Sequence, residues 1–295
     1  MRAHLHLHLE PNERKRRQSG RQKIRYASSA DFFDEHDLSS PGRLPVTWDD
    51  LAGFLAELHG EQRAQGVDYA EVRLSPRRFL PRLGLLPELL AAASGAAVAL
   101  ADPVLRLILL INRDSPADLV DSCESAIADG LPTAFVGIDL AGDEIRFPEI
   151  GKFVRCFAAA RSAGLGVTVH AGEFAGPRGI WEALDRLGAN RIGHGVSAAG
   201  CIGLGRRLRR DDVMIEASIT SNVALGAVRS AAEHPVRWFV ANDVPVCPNA
   251  DVPLHLGTTL DDERAAWAGL LGLDLTAVAA IERAAAHHRF GPGPR

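Results

Sequence analysis

Hydrophobic and polar positions along this chain alternate between two patterns. Short apolar runs, typical of buried strands, each end in polar or glycine-rich residues, and stretches with helical character, such as 47–65, 148–163 and 179–187, separate most of them. The predicted strands cover residues 3–9, 69–74, 105–111, 134–140, 167–170, 191–195, 213–219 and 244–249. Strands that alternate with helices indicate parallel β-α units, and eight units in 295 residues predict a (β/α)8 TIM barrel of the α/β class.

The segments around these units complete the predicted organisation. No linker divides the chain, so we expect one barrel domain over residues 1–295, with a short helix at 31–38 and a closing helix at 281–290. A basic loop or lid is expected at about residues 10–40, because 10–25 is polar and rich in Arg and Lys. Such a run usually indicates a solvated loop, and no nearby motif favours the alternative of a phosphate contact.

Composition excludes several classes of partner. The net charge of -4 provides no basic field for nucleic acid. The four cysteines are widely spaced without a C-x-x-C motif, which favours a reduced intracellular protein. We find neither the apolar core of a signal peptide nor a run long enough to span a bilayer, so we expect a cytoplasmic protein without a membrane partner. The sequence leaves the oligomeric state open and allows a homo-oligomer.

Candidate metal ligands and proton carriers follow the predicted strands. Strict alternation over residues 3–9 places His4, His6 and His8 on one strand face, and His170 ends the fifth strand three residues before Glu173. In such barrels, the active site lies at the carboxyl ends of the strands. Two imidazoles on one face, a third across the barrel and a carboxylate form a nitrogen-rich set that suits zinc. Each motif alone is weak, and their placement at the correct strand ends strengthens them.

Two further motifs are His170-Ala171-Gly172-Glu173 and Gly193-His194-Gly195. Together with residues 6–10, 69–76, 138–144, 220–223 and 253–260, they resemble the adenosine deaminase-like branch of the metal-dependent amidohydrolases. The matching stretches occur in the order found in that family.

The resemblance implies a specific metal site and reaction. One zinc ion per chain would be bound by His6, His8, His170 and Asp251. Glu173 would protonate N1 of a purine, and His194 with Asp251 would orient the hydroxide that attacks C6, so that ammonia leaves. The strand-four end carries no lysine of the kind that bridges two metals in relatives, which favours a single ion.

The resemblance also implies a small-molecule partner, an aminated heterocycle or nucleoside. Gly142 would contact the base through its backbone, and Glu10 would face a sugar hydroxyl. His4 lies deeper on its strand face and is expected to pack or to support the ligands. The predicted substrate-binding set is Glu10, Gly142, Asp143, Phe32 and Val252, and for Phe32 and its neighbour Phe33 core packing is the alternative.

Three departures from the family pattern affect recognition. Val252 stands where relatives carry a second aspartate for N7 of the purine, Pro11 replaces a glycine, and 216–219 lacks the usual Cys/Pro form. An unpaired buried acceptor costs about 1–3 kcal/mol, so we expect a shifted substrate, such as a modified or 7-deaza purine or another aminated heterocycle. The alternatives are an amidohydrolase that cleaves a cyclic amide or another C–N bond, and a non-catalytic nucleoside-binding barrel.

Overall fold

The computed structural model describes residues 1–9, 25–35 and 47–292. Glu10, Pro11 and much of the predicted lid lie outside the described residues, as do positions 36–38 of the predicted short helix.

Eight parallel strands follow one another in sequence order around the barrel. They are β1 (Ala3–His8), β2 (Tyr69–Leu74), β3 (Val104–Asn112), β4 (Phe135–Ala141), β5 (Gly166–Ala171), β6 (Arg191–His194), β7 (Met214–Ala217) and β8 (Val246–Pro248). The circle is joined just beyond β8, where the backbone of Asp251 donates to the carbonyl of His6 at 3.1 Å and accepts from the N–H of His8 at 3.0 Å. The predicted (β/α)8 barrel is confirmed.

Helices lie between successive strands and follow the last one, and most of them pack around the barrel. They are α1 (Ser29–Glu35), α2 (Trp48–Ala64), α3 (Pro76–Leu83), α4 (Leu86–Ala99), α5 (Ala117–Asp129), α6 (Val154–Ser162), α7 (Pro177–Glu182), α8 (Ile202–Arg210), α9 (Ile219–Ala224), α10 (Val236–Ala241), α11 (Pro253–Leu256), α12 (Leu260–Leu271) and α13 (Leu275–Ala285). The α2 helix begins at a capping box in which Thr47 and Asp50 satisfy each other's backbone N–H groups. In the described part of the chain, no single helix meets the length and apolarity needed to cross a membrane; the bent pair Leu260–Leu271 and Leu275–His288 meets them together.

Two predicted elements end earlier in the structure, and a third has a different internal geometry. The strand predicted at 213–219 stops at Ala217, because the carboxylate of Glu263 accepts the N–H groups of Ile219 and Thr220, both at 2.9 Å, and fixes the start of α9. The predicted end of the helix at 281–290 is wrong. The helix α13 ends at Ala285, and a 3-10 turn, Ala286–His288, follows it. The helix predicted at 179–187 is α7 continued by a π-helical segment, Ala183–Leu187.

A buried layer of charges fills the barrel beneath the strand ends. The guanidinium of Arg73 lies 2.5 Å from both Asp139 and Glu216, and Arg191 lies 2.5 Å from Glu71 and 2.7 Å from Glu216. All five side chains are essentially inaccessible to solvent, so each charge depends on its partners. This layer supports the site above it.

Candidate active site

Three imidazoles and one carboxylate converge at the carboxyl end of the barrel. His6 and His8 come from β1, His170 from β5, and Asp251 follows β8. Nε2 of His8 lies 3.3 Å from Nε2 of His6 and 3.2 Å from Nε2 of His170. Oδ1 of Asp251 lies 3.3 Å from Nε2 of His6 and 3.2 Å from Nε2 of His8. Such separations suit ligands that share one ion at about 2.0–2.2 Å.

Two buried carboxylates orient the imidazoles. Nδ1 of His6 lies 2.6 Å from Glu216, and Nδ1 of His170 lies 3.0 Å from Asp139. When Nδ1–H donates to a carboxylate, the Nε2 lone pair is left for a metal. Burial alone would raise the pKa of Glu216, but Arg73 and other neighbours outweigh it and hold that pKa well below its usual range. Burial lowers the pKa of His8 well below its ordinary value, so this ligand is neutral.

The backbone adopts unusual conformations where the site demands them. His194 and Asp251 have φ angles of 62° and 60°, in the left-handed region that side chains rarely adopt. Such strain clusters at functional sites. A side chain at Gly193 would place its Cβ 3.1 Å from the ring of His6 and 3.2 Å from that of His170, so glycine permits the close approach of the strands here.

A chain of hydrogen bonds fixes Glu173 and His194. The N–H of Val236 donates to Nδ1 of His234 at 3.3 Å, so Nε2–H of His234 is assigned as the donor to Oδ1 of Asn222 at 3.0 Å. The amide nitrogen of Asn222 then faces Oε1 of Glu173 at 2.9 Å and Nδ1 of His194 at 3.0 Å. His194 therefore accepts at Nδ1 and carries its proton on Nε2. Burial lowers the pKa of His194 well below its ordinary value, which keeps the ring neutral.

The turn after β5 holds Glu173 in a buried, acidic setting. Glu144 accepts the backbone N–H groups of Gly172, Glu173 and Phe174 at 2.8, 2.9 and 3.0 Å. Burial, together with the carboxylates of Asp251 and Glu144, raises the pKa of Glu173 well above its ordinary value. A carboxyl group in this environment favours its protonated form and can donate that proton.

A cavity of about 430 Å³ opens above these residues. It is lined by predicted metal ligands (His8, His170, Asp251), predicted proton-transfer groups (Glu173, His194) and predicted substrate contacts (Phe32, Gly142, Asp143, Val252). The structure thus brings all of these residues together with His6, which lies beneath them, while Glu10 lies outside the described residues. Phe33 also lines the cavity, so both phenylalanines of α1 face it.

The predicted substrate contacts differ in what they offer. The carboxylate of Asp143 accepts the N–H groups of Ile145 and Arg146 at 2.9 and 3.0 Å, so its own turn occupies it. Gly142 has a φ of 120°, which favours glycine. Val252 is 6% exposed and belongs to an apolar cluster with Ala224, Leu225 and Leu256, against which Tyr26, Phe32 and Phe174 pack. One wall of the cavity is therefore apolar where the family motif has a carboxylate.

Residues around the ligands support the site, and one of them, His4, was expected to do so. Its Nδ1 lies 2.8 Å from Gln62, and its Nε2 accepts the N–H of Ala250 at 2.9 Å. The orienting carboxylates, the charged layer and the hydrogen-bond chain were missed: Glu216, Asp139, Arg73, Asn222, His234 and Glu144. For Arg73, Asp139 and Glu216, the available signal was a charged residue inside an otherwise apolar strand.

Barrel and cluster together define the class, an α/β barrel with a candidate metal centre at the carboxyl ends of its strands. Comparison with known proteins then identifies the family. The family model described as Adenosine deaminase matches residues 22–295, and the chain belongs to this family, which confirms the resemblance found in the motifs.

Similar proteins include one curated relative and two solved structures. The adenosine deaminase of Serratia proteamaculans (strain 568) is 38% identical to this chain over 216 residues. The match covers 70% of this chain and 63% of the relative, so this chain spans less than two thirds of that relative's length. The adenine deaminase of Arthrobacter aurescens has a TM-score of 0.83 at 24% identity, with 99% of this chain and 94% of that one covered. An amidohydrolase from Burkholderia ambifaria with bound Zn has a TM-score of 0.80 at 18% identity, with 99% and 86% covered. At these identities, the structures show the common fold.

Proposed function

We propose that this chain is a zinc-dependent hydrolytic deaminase that replaces a ring amino group of a purine or related aminated heterocycle with oxygen and releases ammonia. One observation carries the proposal: Glu173, a carboxyl with a strongly raised pKa, lines the same cavity as the converging ligands His8, His170 and Asp251. A proton donor beside a nitrogen-rich metal site is what ring deamination needs.

The donor set fits zinc. Three imidazole nitrogens and one carboxylate oxygen are borderline ligands that suit this ion, and His6, His8, His170 and Asp251 would hold it. When bound, zinc would act as a Lewis acid and lower the pKa of water to about 7. The name of one structural neighbour, an amidohydrolase with bound Zn, supports this choice.

The side chains of this protein would handle the protons and the orientation. Glu173 would donate its proton to a ring nitrogen, which makes the adjacent amino-bearing carbon electrophilic. His194 would donate a hydrogen bond from Nε2–H to the oxygen that adds to this carbon, because its Nδ1 is occupied by Asn222. Asp251 would accept a proton from that oxygen; its Oδ2 is positioned by Oγ of Ser221 at 2.5 Å.

The substrate is best described as an uncharged ring or nucleoside with an apolar edge. A ring nitrogen placed against Val252 would lose its hydrogen bond, at a cost of about 1–3 kcal/mol. Three arginines line the cavity and none is free: Arg77 pairs with Asp114, Arg146 pairs with Asp34, and Arg78 has an interaction of its own, which favours a neutral substrate over a nucleotide. The relatives named for adenosine and adenine support the class of aminopurine, and Val252 shifts the preference towards 7-deaza or otherwise modified rings.

Two other functions use the same cavity. An amidohydrolase acting on a cyclic amide would need the same metal ligands and would release no ammonia. A barrel that only binds nucleosides would bind ligand without turnover, and the raised pKa of Glu173 favours catalysis over this alternative.

Metal analysis combined with an ammonia-release screen tests the proposal. The panel contains aminopurines, pterins, their nucleosides and 7-deaza analogues. We expect one zinc ion at the site of the purified enzyme and ammonia release from at least one member, with 7-deaza analogues preferred over adenosine. Ring opening without ammonia would support the cyclic-amide alternative, and binding without turnover would support the non-catalytic one.

A further inference from the structure

We propose a second zinc-binding site, formed by Asp212, His287 and His288 at the end of the barrel opposite the active site. Asp212 lies in the turn between α8 and β7, and both histidines lie in the 3-10 turn Ala286–His288 after α13. Each side chain offers one ligand atom, and these atoms lie within 4.8 Å of one another. None of the three belongs to the proposed deaminase site, so this inference stands independently of it.

The imidazole of His287 is oriented as a metal ligand. Its Nδ1 contacts the carbonyl oxygen of Ala284, which can only accept, so Nδ1 carries the proton. With the proton of the neutral ring on Nδ1, Nε2 faces Oδ2 of Asp212 at 3.4 Å, a contact within hydrogen-bond range that an ion would bridge. A backbone carbonyl that fixes the tautomer in this way is the usual arrangement behind a metal-bound histidine.

His288 provides an independent observation that indicates a ligand. Its side chain is 7% exposed, and Nε2 is buried without a hydrogen-bond partner among the described residues. The nearest acceptor, Oδ1 of Asp212, lies 3.6 Å away, beyond hydrogen-bond distance. Buried polar atoms without partners are rare in native proteins, and a bound ion is one of the accepted explanations for them.

The separations and charges fit a small divalent ion. Ligands at about 2.0–2.1 Å in a tetrahedron lie about 3.3 Å apart. Oδ2 of Asp212 lies 3.4 Å from Nε2 of His287, and Oδ1 lies 3.6 Å from Nε2 of His288, so the carboxylate faces each imidazole with a different oxygen. Asp212 has a φ of 53°, which shows that its turn adopts a conformation unusual for a side chain. The nearby guanidinium of Arg191 is neutralised by Glu71 and Glu216 and donates to the carbonyl of His288 at 3.1 Å.

The ligand set selects the class of ion. Two imidazoles and one carboxylate favour zinc or a similar transition metal over magnesium or calcium, which prefer oxygen ligands. With three protein ligands, water would complete the coordination. Because Asp212 and His287 are exposed, we expect weaker binding than at the buried cluster, and the ion would join the end of the last helix to the α8–β7 turn.

Zinc titration of the full-length enzyme, with its buried cluster already loaded, tests this site. We expect the wild type to bind a second equivalent, and His287→Gln and Asp212→Asn to lose that equivalent while they keep the first one and their circular dichroism spectrum. Both changes are at exposed positions, so the fold should tolerate them.

Asp243→Asn is the matched control. Asp243 also occupies an exposed turn before a strand, with a φ of 54°, and it contacts Arg209 and no histidine among the described residues. The control should keep both equivalents. The proposal is overturned if the wild type and the two variants bind the same number of equivalents in excess zinc, or if the control binds fewer than the wild type.

Discussion

Nε2 of His234 lies 3.0 Å from Oδ1 of Asn222, and this contact determines which way the Asn222 amide faces. The carbonyl oxygen accepts from His234, so the amide nitrogen is left to donate to Glu173 and His194. A residue outside the cavity thereby sets the proton position on a residue inside it.

Replacing His234 tests this arrangement. His234→Leu removes the donor and allows the amide to turn, so we expect kcat to fall about tenfold while metal content is unchanged. His234→Gln keeps a donor and should retain most activity. Steady-state ammonia release and metal analysis measure both; equal losses in the two variants would mean that His234 only fills space.

The carboxylate of Glu216 should control metal affinity through His6. Glu216→Gln weakens the hydrogen bond that orients His6, and we expect zinc to bind about 10–100-fold more weakly. Glu71→Gln is the matched control, because Glu71 is equally buried and also pairs with Arg191 without contacting a ligand histidine. Both changes should lower the free energy of unfolding by about 3–5 kcal/mol. Competition with a chelator measures the affinity, and equal weakening in the two variants would refute the specific role of Glu216.

Val252 should set the preference between ring systems. Val252→Asn supplies an amide donor for a ring nitrogen, and we expect kcat/KM for aminopurines to rise about 5–150-fold relative to their 7-deaza analogues. Val252→Ala keeps the wall apolar and should leave that ratio near the wild-type value. The ratio is read from ammonia release on paired substrates. If the Asn and Ala variants give the same ratio, Val252 does not face the relevant ring edge.

Glu263 should make stability depend on pH. Burial raises its pKa from 4.5 to about 7, so the native state binds this proton more tightly than the unfolded state does. The contribution of Glu263 to the free energy of unfolding is fully present below pH 4.5 and is lost as the pH rises through about 7. The change is on the order of 3 kcal/mol.

Urea unfolding at pH 5 and pH 8 measures this effect. Glu263→Gln cannot titrate, so the difference in the free energy of unfolding between the two pH values should shift by the amount that Glu263 contributes. Glu233→Gln, at an exposed position, is the control and should leave the difference in the free energy of unfolding between the two pH values unaltered. An unaltered difference in the Glu263 variant would show that this carboxyl does not titrate in the interval.

The barrel could be predicted from the sequence because it depends on local pattern, whereas the expected ligand set came from the resemblance to the family. Strand periodicity and the polar residues that end each strand can be read along the chain. The supporting contacts depend on partners far apart: the β6–β7 register sets Gly193 opposite Glu216, which places this carboxylate under His6. The end of β7 depends on Glu263, 44 residues further along, which no local pattern reveals.

The end of the last helix was missed for a similar reason. The backbone N–H of Phe290 donates to Glu71 at 2.7 Å, and that of Gly291 donates to the hydroxyl of Tyr69 at 3.0 Å. These contacts draw the segment beneath the barrel, so the chain leaves the helical path after Ala285. Apolar spacing over 281–290 carries no information about them.

Single-turnover ammonia release by Glu173→Gln tests the central claim most directly. The substrate is the one that the wild type deaminates best, and zinc content and ligand affinity are measured on the same preparations. Gln keeps the shape and the contact with Asn222 but carries no acidic proton, so we predict a rate about 10²–10⁴-fold lower, with zinc and ligand still bound. Turnover at the wild-type rate in this variant would contradict the role of Glu173 and the proposed mechanism with it.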